Sequence, residues 1–343
     1  MRALLSLAVI VAVFGFALPK IANFSDVWST ITEMTWIEIG TLALFAIWNT
    51  VTYWFVLNAA LPGSTLSQNA LVNQASTAVS NTLPAGGAFG VAVTYAMYSS
   101  FGLGVGAVTL AILVTGIWNN VVKFGLPIIA LGLLALTGDA TGPLVVAALI
   151  GLAALAGAIV LGVLVLASDR LAAKVGAGLA RVAAPVLRLL RRHPPRDWDA
   201  AAVRGRARVI DLLRGRWLVL TVATLVSHLS LFLVLLVALR HVGVSEDEVS
   251  WIQVLAAFSF GRLVTALPIT PGGLGVVELA LTGALVAAGG EAAPVAAAVL
   301  VYRALTFLPP IVFGGPAYLI WRRTRHPDPV PERSAVTTAG ATG

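Results

Sequence analysis

Leu83-Pro84-Ala85-Gly86-Gly87-Ala88-Phe89-Gly90 and Leu267-Pro268-Ile269-Thr270-Pro271-Gly272-Gly273-Leu274-Gly275 share one pattern, a Leu-Pro step followed by a Gly-Gly pair, and begin 184 positions apart (83 and 267). Each interrupts an apolar stretch at a point where a straight helix is impossible. Proline lacks a backbone donor and glycine adopts backbone angles closed to other residues.

Other landmarks repeat at a similar offset. Trp36 opens the apolar segment before the first copy and Trp217 the one before the second, 181 positions on; Lys123 with Pro127 is echoed by Arg303 with Pro309 at offsets of 180 and 182. A shared offset across separate landmarks indicates duplication of a whole unit.

Composition sets the solvent. With 59% hydrophobic and 11% charged residues and a mean hydropathy of +0.94, the chain departs from a soluble domain, in which about 25% of residues are charged. The absence of cysteine among 343 residues removes disulfides and thiolate chemistry. His193, His228, His241 and His326 have no acidic neighbours in a metal-ligand spacing, and no nucleophile elbow, P-loop or HExxH pattern occurs, so no metal, cofactor or catalytic group is expected. The net charge of +7 is local. Ser168 to Arg216 holds twelve Lys or Arg against four Asp or Glu, +8, and the remainder sums to −1. That pattern predicts a positive-inside loop, not a nucleic-acid surface, with Arg188, Arg191, Arg192 and Arg196 near anionic headgroups.

Runs long enough to cross about 30 Å of hydrocarbon at 1.5 Å per residue fall at Leu4 to Leu18, Trp36 to Leu61, Pro143 to Ala167 and Trp217 to Leu239. The first reads as a retained helix, with a signal peptide as its alternative. Gly104 to Thr137 and Ala293 to Trp321 are too long for one straight crossing, and Pro127 and Pro309-Pro310 supply a break, giving either one kinked crossing or a short helical pair. Leu66 to Phe101 and Trp251 to Ala288 read as broken or re-entrant helices. The fold expected is therefore an all-α, polytopic transmembrane bundle, one integral domain over residues 1–326. Its halves, 36–137 and 217–321, are joined by a basic cytoplasmic loop, 168–216, and followed by a disordered tail, 327–343. With that loop and the C-terminus inside, the halves are inverted, and substrate sites in such repeats lie at the repeat interface.

Ionisable groups at membrane depth are unfavourable by at least about 2.5 to 3.5 kcal/mol and mark function by default. Lys123, Arg262, Glu278 and Arg303 qualify. Glu278, on the first turns of the helix leaving the second motif, is favoured by that helix N-terminus. Two readings stay open: an internal ion pair of Glu278 with Arg262 or Arg303, or arginines that face a cavity and grip an anionic headgroup through their planar fork. Gly86, Gly87, Gly272 and Gly273 would shape the site, and Asn81 would line it. Asn119, Asn120, Gln253 and His228 read as interhelical glue.

The run from Leu267 to Glu278, followed by Tyr302-Arg303, Leu308-Pro309-Pro310 and Gly314-Gly315, resembles the lysylphosphatidylglycerol synthetase transmembrane-domain family, a flippase-like domain; Asn81 to Gly87 resembles its first-half motif. In full-length synthetases of that family a soluble C-terminal domain transfers lysine to phosphatidylglycerol, and the membrane domain is implicated in moving the product. About 20 residues follow Trp321 here, so the resemblance implies the membrane module and not the synthetase activity. The expectation is a translocator of a phospholipid or lipid-linked anion in the bacterial cytoplasmic membrane, with a membrane-embedded enzyme or accessory subunit in lipid or glycan assembly, or a small-molecule secondary transporter, as alternatives.

Overall fold

The computed structural model describes residues 22–83, 86–138, 142–189, 198–265 and 270–324. The expectations for residues 1–18, for the tail 327–343, for motif residues 84–85 and 267–269, and for headgroup contact by Arg188, Arg191, Arg192 and Arg196 fall outside the described residues and side chains.

Eleven α-helices and one 3-10 turn make up the described chain, with no strand among the described residues. They are α1 (Phe24–Thr32), α2 (Trp36–Ala60), α3 (Leu66–Thr82), α4 (Gly86–Ser100), α5 (Val105–Thr137), α6 (Gly142–Ala167), α7 (Asp169–Leu189), α8 (Trp198–His241), α9 (Trp251–Val264), the 3-10 turn Pro271–Gly273, α10 (Val276–Ala287) and α11 (Ala292–Thr324). Five helices contain spans long and apolar enough to cross a bilayer: α2, α5, α6, α8 and α11.

The duplication is visible in the helix boundaries. Adding 181 to the limits of α2, 36 and 60, gives 217 and 241, the second of which ends α8; α5 and α11 both have 33 residues and start 187 positions apart (105 and 292). Glycines with positive φ follow corresponding helices, Gly63 with Gly243 and Gly102 with Gly289. The half-helices α3 and α9 both start with a capping box, in which Thr65 and Gln68, or Ser250 and Gln253, each bond the other's backbone N–H at 2.8 to 3.3 Å. Reciprocal caps of this kind satisfy two orphan donors where the helix starts.

The long helices α2 and α8 run antiparallel. Thr41 Oγ1 meets His241 Nε2 at 2.8 Å, the Asn49 amide donates to Ser230 Oγ at 2.9 Å, and Arg216 reaches the Asn58 carbonyl at 3.5 Å. Because these helices are the repeat equivalents of each other, the two units point in opposite directions. Asn49 and Ser230, themselves 181 positions apart, touch, as residues do when they sit on a twofold axis. Packing elsewhere is reciprocal: α3 lies against α11 and α9 against α5, so the first half-helix of each unit packs on the last helix of the other.

Within each unit the broken segment is a re-entrant hairpin. In the first, the Tyr98 hydroxyl donates to Asn69 Oδ1 at 2.8 Å near the base. At the tip a Cβ on Gly86 would meet the Ser80 carbonyl oxygen at 2.3 Å, and one on Gly90 the Ser76 carbonyl oxygen at 2.8 Å. Small residues four apart let α4 lie directly on α3. In the second, Gly290 sits against Val249 at the base and Gly261 against Leu281 farther in.

Two expectations are corrected and one alternative is decided. From Asp169 on, the described residues of the stretch 168–216 are helical rather than irregular: they form α7 and the first part of the 44-residue α8, because Ala, Leu and Arg favour helix whatever their charge. Arg206 ties the two together, donating to Asp169 at 2.6 Å and to the Leu166 carbonyl at 2.8 Å. Of the two alternatives for the long segments, the single crossing is the one formed: Pro127, Pro309 and Pro310 lie inside their helices, and α5 and α11 are each continuous. The helix register also separates Lys123, 18 residues after the start of α5 (123 − 105), from Arg303, 11 after the start of α11 (303 − 292), so the two are not equivalents.

Where α3 crosses α11, a Cβ on Gly314 would lie 2.3 Å from Ala78 Cβ, whereas one on the neighbouring Gly315 would meet nothing within 4 Å. Overpacking a close contact costs about 1–3 kcal/mol. Gly314→Val should lower the unfolding midpoint of the detergent-purified protein by several degrees, and Gly315→Val should leave it nearly unchanged.

Candidate functional site

Both repeat units contribute to a polar cavity of about 660 Å³, within the roughly 300–1,000 Å³ of ligand pockets. Its wall draws on α2, α3, α4, α5, α8, α9 and α11. Among the described residues four basic side chains reach it, Lys123, His228, Arg262 and Arg303, and no aspartate or glutamate does.

The second hairpin positions two of these. After α9, the turn Pro271–Gly273 reverses the chain through left-handed backbone at Gly272 (φ 59°), where a Cβ would strike Phe307 Cε2 at 2.2 Å. That turn delivers the chain to α10, whose third residue is Glu278. The carboxylate is 1% exposed and accepts from Arg303 Nε at 2.8 Å. Arg303 Nη2 donates to the Gly272 carbonyl at 2.9 Å, and its guanidinium lies over the Phe307 ring, 5.0 Å from the centroid. One arginine therefore neutralises the carboxylate, satisfies a carbonyl of the turn and stacks on the ring that the glycine admits. Glu278 Oε2 and Thr282 Oγ1, one helical turn apart, are buried with no partner among the described residues.

Arg262 behaves differently. It pairs with no carboxylate among the described residues, and its Nε is buried without an acceptor. Lys123 also has no ion-pair partner there. His228 Nδ1 contacts the Thr224 carbonyl at 3.0 Å; since a carbonyl only accepts, that nitrogen carries the hydrogen, and Nε2 remains a buried, unpaired acceptor.

Of the residues singled out in the sequence, the cavity wall brings together Arg262, Arg303, Lys123, Asn81, Gly87 and Gly272. Glu278, Gly86 and Gly273 are placed behind it. Glu278 faces Arg303, Gly86 is pressed on the backbone of α3, and Gly273 is buried against Val277. Asn119, Asn120 and His228, read as glue, also line the cavity. Apart from Asn81, sequence reasoning missed the wall formed by α3. Asn73, Ser76, Thr77, Ser80 and Asn81 all face the cavity. Their spacing, i, i+3, i+4, i+7 and i+8, is one face of a helix, and a polar stripe of that period in a half-length membrane helix was the available signal.

The other side of the same wall is apolar. A groove of about 430 Å³ between α2, α3 and α11 is lined by Ile47, Val51, Leu71, Leu305 and Phe313, among others, and shares Thr50 with the polar cavity.

An all-helical bundle of opposed units, each a re-entrant hairpin between long apolar helices, defines a polytopic membrane protein with an interior polar site. The match to the family described as the lysylphosphatidylglycerol synthase TM region runs over residues 3–314, and the chain belongs to that family. A comparison with curated proteins found no match.

Removing one member of a buried ion pair costs about 3–5 kcal/mol, because the other charge is left without compensation. Glu278→Gln, which keeps the shape and an acceptor for Arg303 but not the charge, should therefore lower the thermal unfolding midpoint by a large share of the loss caused by Glu278→Ala. A Glu278→Gln midpoint equal to that of the wild type would show that the charge of Glu278 does not stabilise Arg303.

Proposed function

We propose that the protein translocates an anionic phospholipid or lipid-linked anion across the bacterial cytoplasmic membrane, without altering it covalently. The observation that carries this reading is the cavity between opposed units, lined by Lys123, Arg262, His228 and Arg303 and, among the described residues, by no carboxylate. Arg303 is already committed to Glu278 and Gly272. Arg262 and Lys123 are the free cations, and a desolvated guanidinium without a partner is stabilised when a phosphate supplies two-point acceptors.

The neighbouring groove supports an amphipathic substrate over a water-soluble one. A headgroup in the polar cavity and a chain in the apolar groove would straddle the wall at Thr50. Opposed re-entrant hairpins suit alternating access, since a rocking motion about the repeat axis exposes the same site to either face. In this reading the basic surface of α7 and the start of α8 is cytoplasmic, by the positive-inside rule.

The test is reconstitution in liposomes with headgroup-labelled anionic lipid, sidedness being scored by dithionite quenching. Charge-assisted hydrogen bonds contribute about 1.5–3 kcal/mol, so Arg262→Ala should slow translocation roughly tenfold or more, while thin-layer chromatography shows unchanged lipid. Equal rates for wild type and Arg262→Ala would sink the proposal, as would a chemically altered lipid product.

A further inference from the structure

We infer that the cavity is built for a headgroup joining a phosphate to an uncharged polyol, glycerol or a sugar, and against an aminoacylated, cationic headgroup. The inference deepens the anionic-lipid reading above and rests on it.

Two surfaces of different chemistry line the cavity. One, from α5 and α9, presents Lys123 and Arg262, which can only donate and carry charge. The other is the α3 stripe. Ser76 and Ser80 donate their hydroxyl hydrogens to the carbonyls of Asn73 and Ser76, at 3.3 and 2.8 Å, which leaves their oxygens as acceptors. The amides of Asn73 and Asn81 make no hydrogen bond among the described residues, so each offers donors and an acceptor to the cavity. Neutral groups that both donate and accept match hydroxyls, which do the same. Such residues commonly bond neighbouring helices, but α3 meets α4 and α11 through Gly86, Gly90 and Gly314, and the Asn73 and Asn81 amides remain unused.

The same lining disfavours an ammonium. Binding a lysyl headgroup requires carboxylates or a dense set of acceptors, and the wall has no carboxylate among the described residues. The buried carboxylate of Glu278 is neutralised by Arg303 at 2.8 Å and does not itself line the cavity. An added cation would meet Lys123 and Arg262 with nothing to offset the repulsion.

The experiment is a lipid panel on the full-length, detergent-purified protein, read as apparent affinity from the thermal unfolding midpoint. Phosphatidylinositol and phosphatidylglycerol carry phosphate and polyol, phosphatidylethanol the same single charge without hydroxyls, and lysylphosphatidylglycerol a cationic headgroup. Wild type should bind the first two about tenfold more tightly than phosphatidylethanol, as a few additional net hydrogen bonds imply, and lysylphosphatidylglycerol most weakly. Asn73→Ala with Asn81→Ala should remove the preference while keeping phosphatidylethanol binding. Soluble glycerol 1-phosphate should shift the midpoint less than phosphatidylglycerol; an equal shift would overturn the lipid as the source of the headgroup. Equal binding of the three anionic lipids overturns the polyol inference and leaves the anion reading standing, and lysylphosphatidylglycerol binding as tightly as phosphatidylglycerol overturns the charge argument. If no anionic lipid binds, the anion reading falls with it. Should the double variant not fold, the wild-type panel decides alone.

Discussion

Backbone that leaves helical geometry inside a bilayer must find its hydrogen bonds within the protein, since hydrocarbon supplies none. The second hairpin meets that demand through Arg303. Its guanidinium bonds the Gly272 carbonyl and the Glu278 carboxylate at once, so one residue of α11 holds both the turn and the first turn of α10. The arrangement also accounts for Gly272, whose side any Cβ would contest with Phe307, the ring on which Arg303 rests. Charge, ring and turn are interdependent, and this is why a carboxylate 1% exposed is tolerable at that depth.

The opposed direction of the units has its own chemistry. Asn49 bonds Ser230 and also the Ser227 carbonyl, at 2.9 Å each, while Thr52 approaches Ser230 at 3.2 Å. Polar contacts between membrane helices have few competitors and fix register. This knot holds α2 to α8 at the axis, and the reciprocal contacts of α3 with α11 and α9 with α5 leave the polar cavity between them.

Much of this was legible in the residues alone. The Gly-Gly motifs announced the hairpins because proline and glycine act locally, and the Trp36 to Trp217 offset announced the duplication. The basic stretch misled: hydropathy reports where a chain is wet, not whether it is helical, and α8 continues from one environment into the other without a break. The prolines of α5 and α11 left a kinked crossing and a helical pair both open, and the surroundings decide for the crossing, because neighbouring helices keep a proline-containing helix continuous. Within the site, Arg262 and Arg303 looked alike in sequence. Which of them Glu278 takes depends on a contact across 25 positions, and only tertiary geometry decides it. The α3 stripe was readable by periodicity, but serine and asparagine in a membrane segment fit interhelical bonding equally well until the packing faces of α3 are known.

The unbroken course of α8 has a mechanical consequence. Its 44 residues extend about 66 Å at 1.5 Å per residue, roughly twice the hydrocarbon thickness, so a rod rooted at the Asn49 knot projects well past the lipid tails. A tilt of about 10° at that pivot would sweep Trp198, about 48 Å along the helix from Ser230, through roughly 8 Å. Through Arg206, α7 would travel with it, so in the proposed rocking motion the basic surface would act as a lever arm.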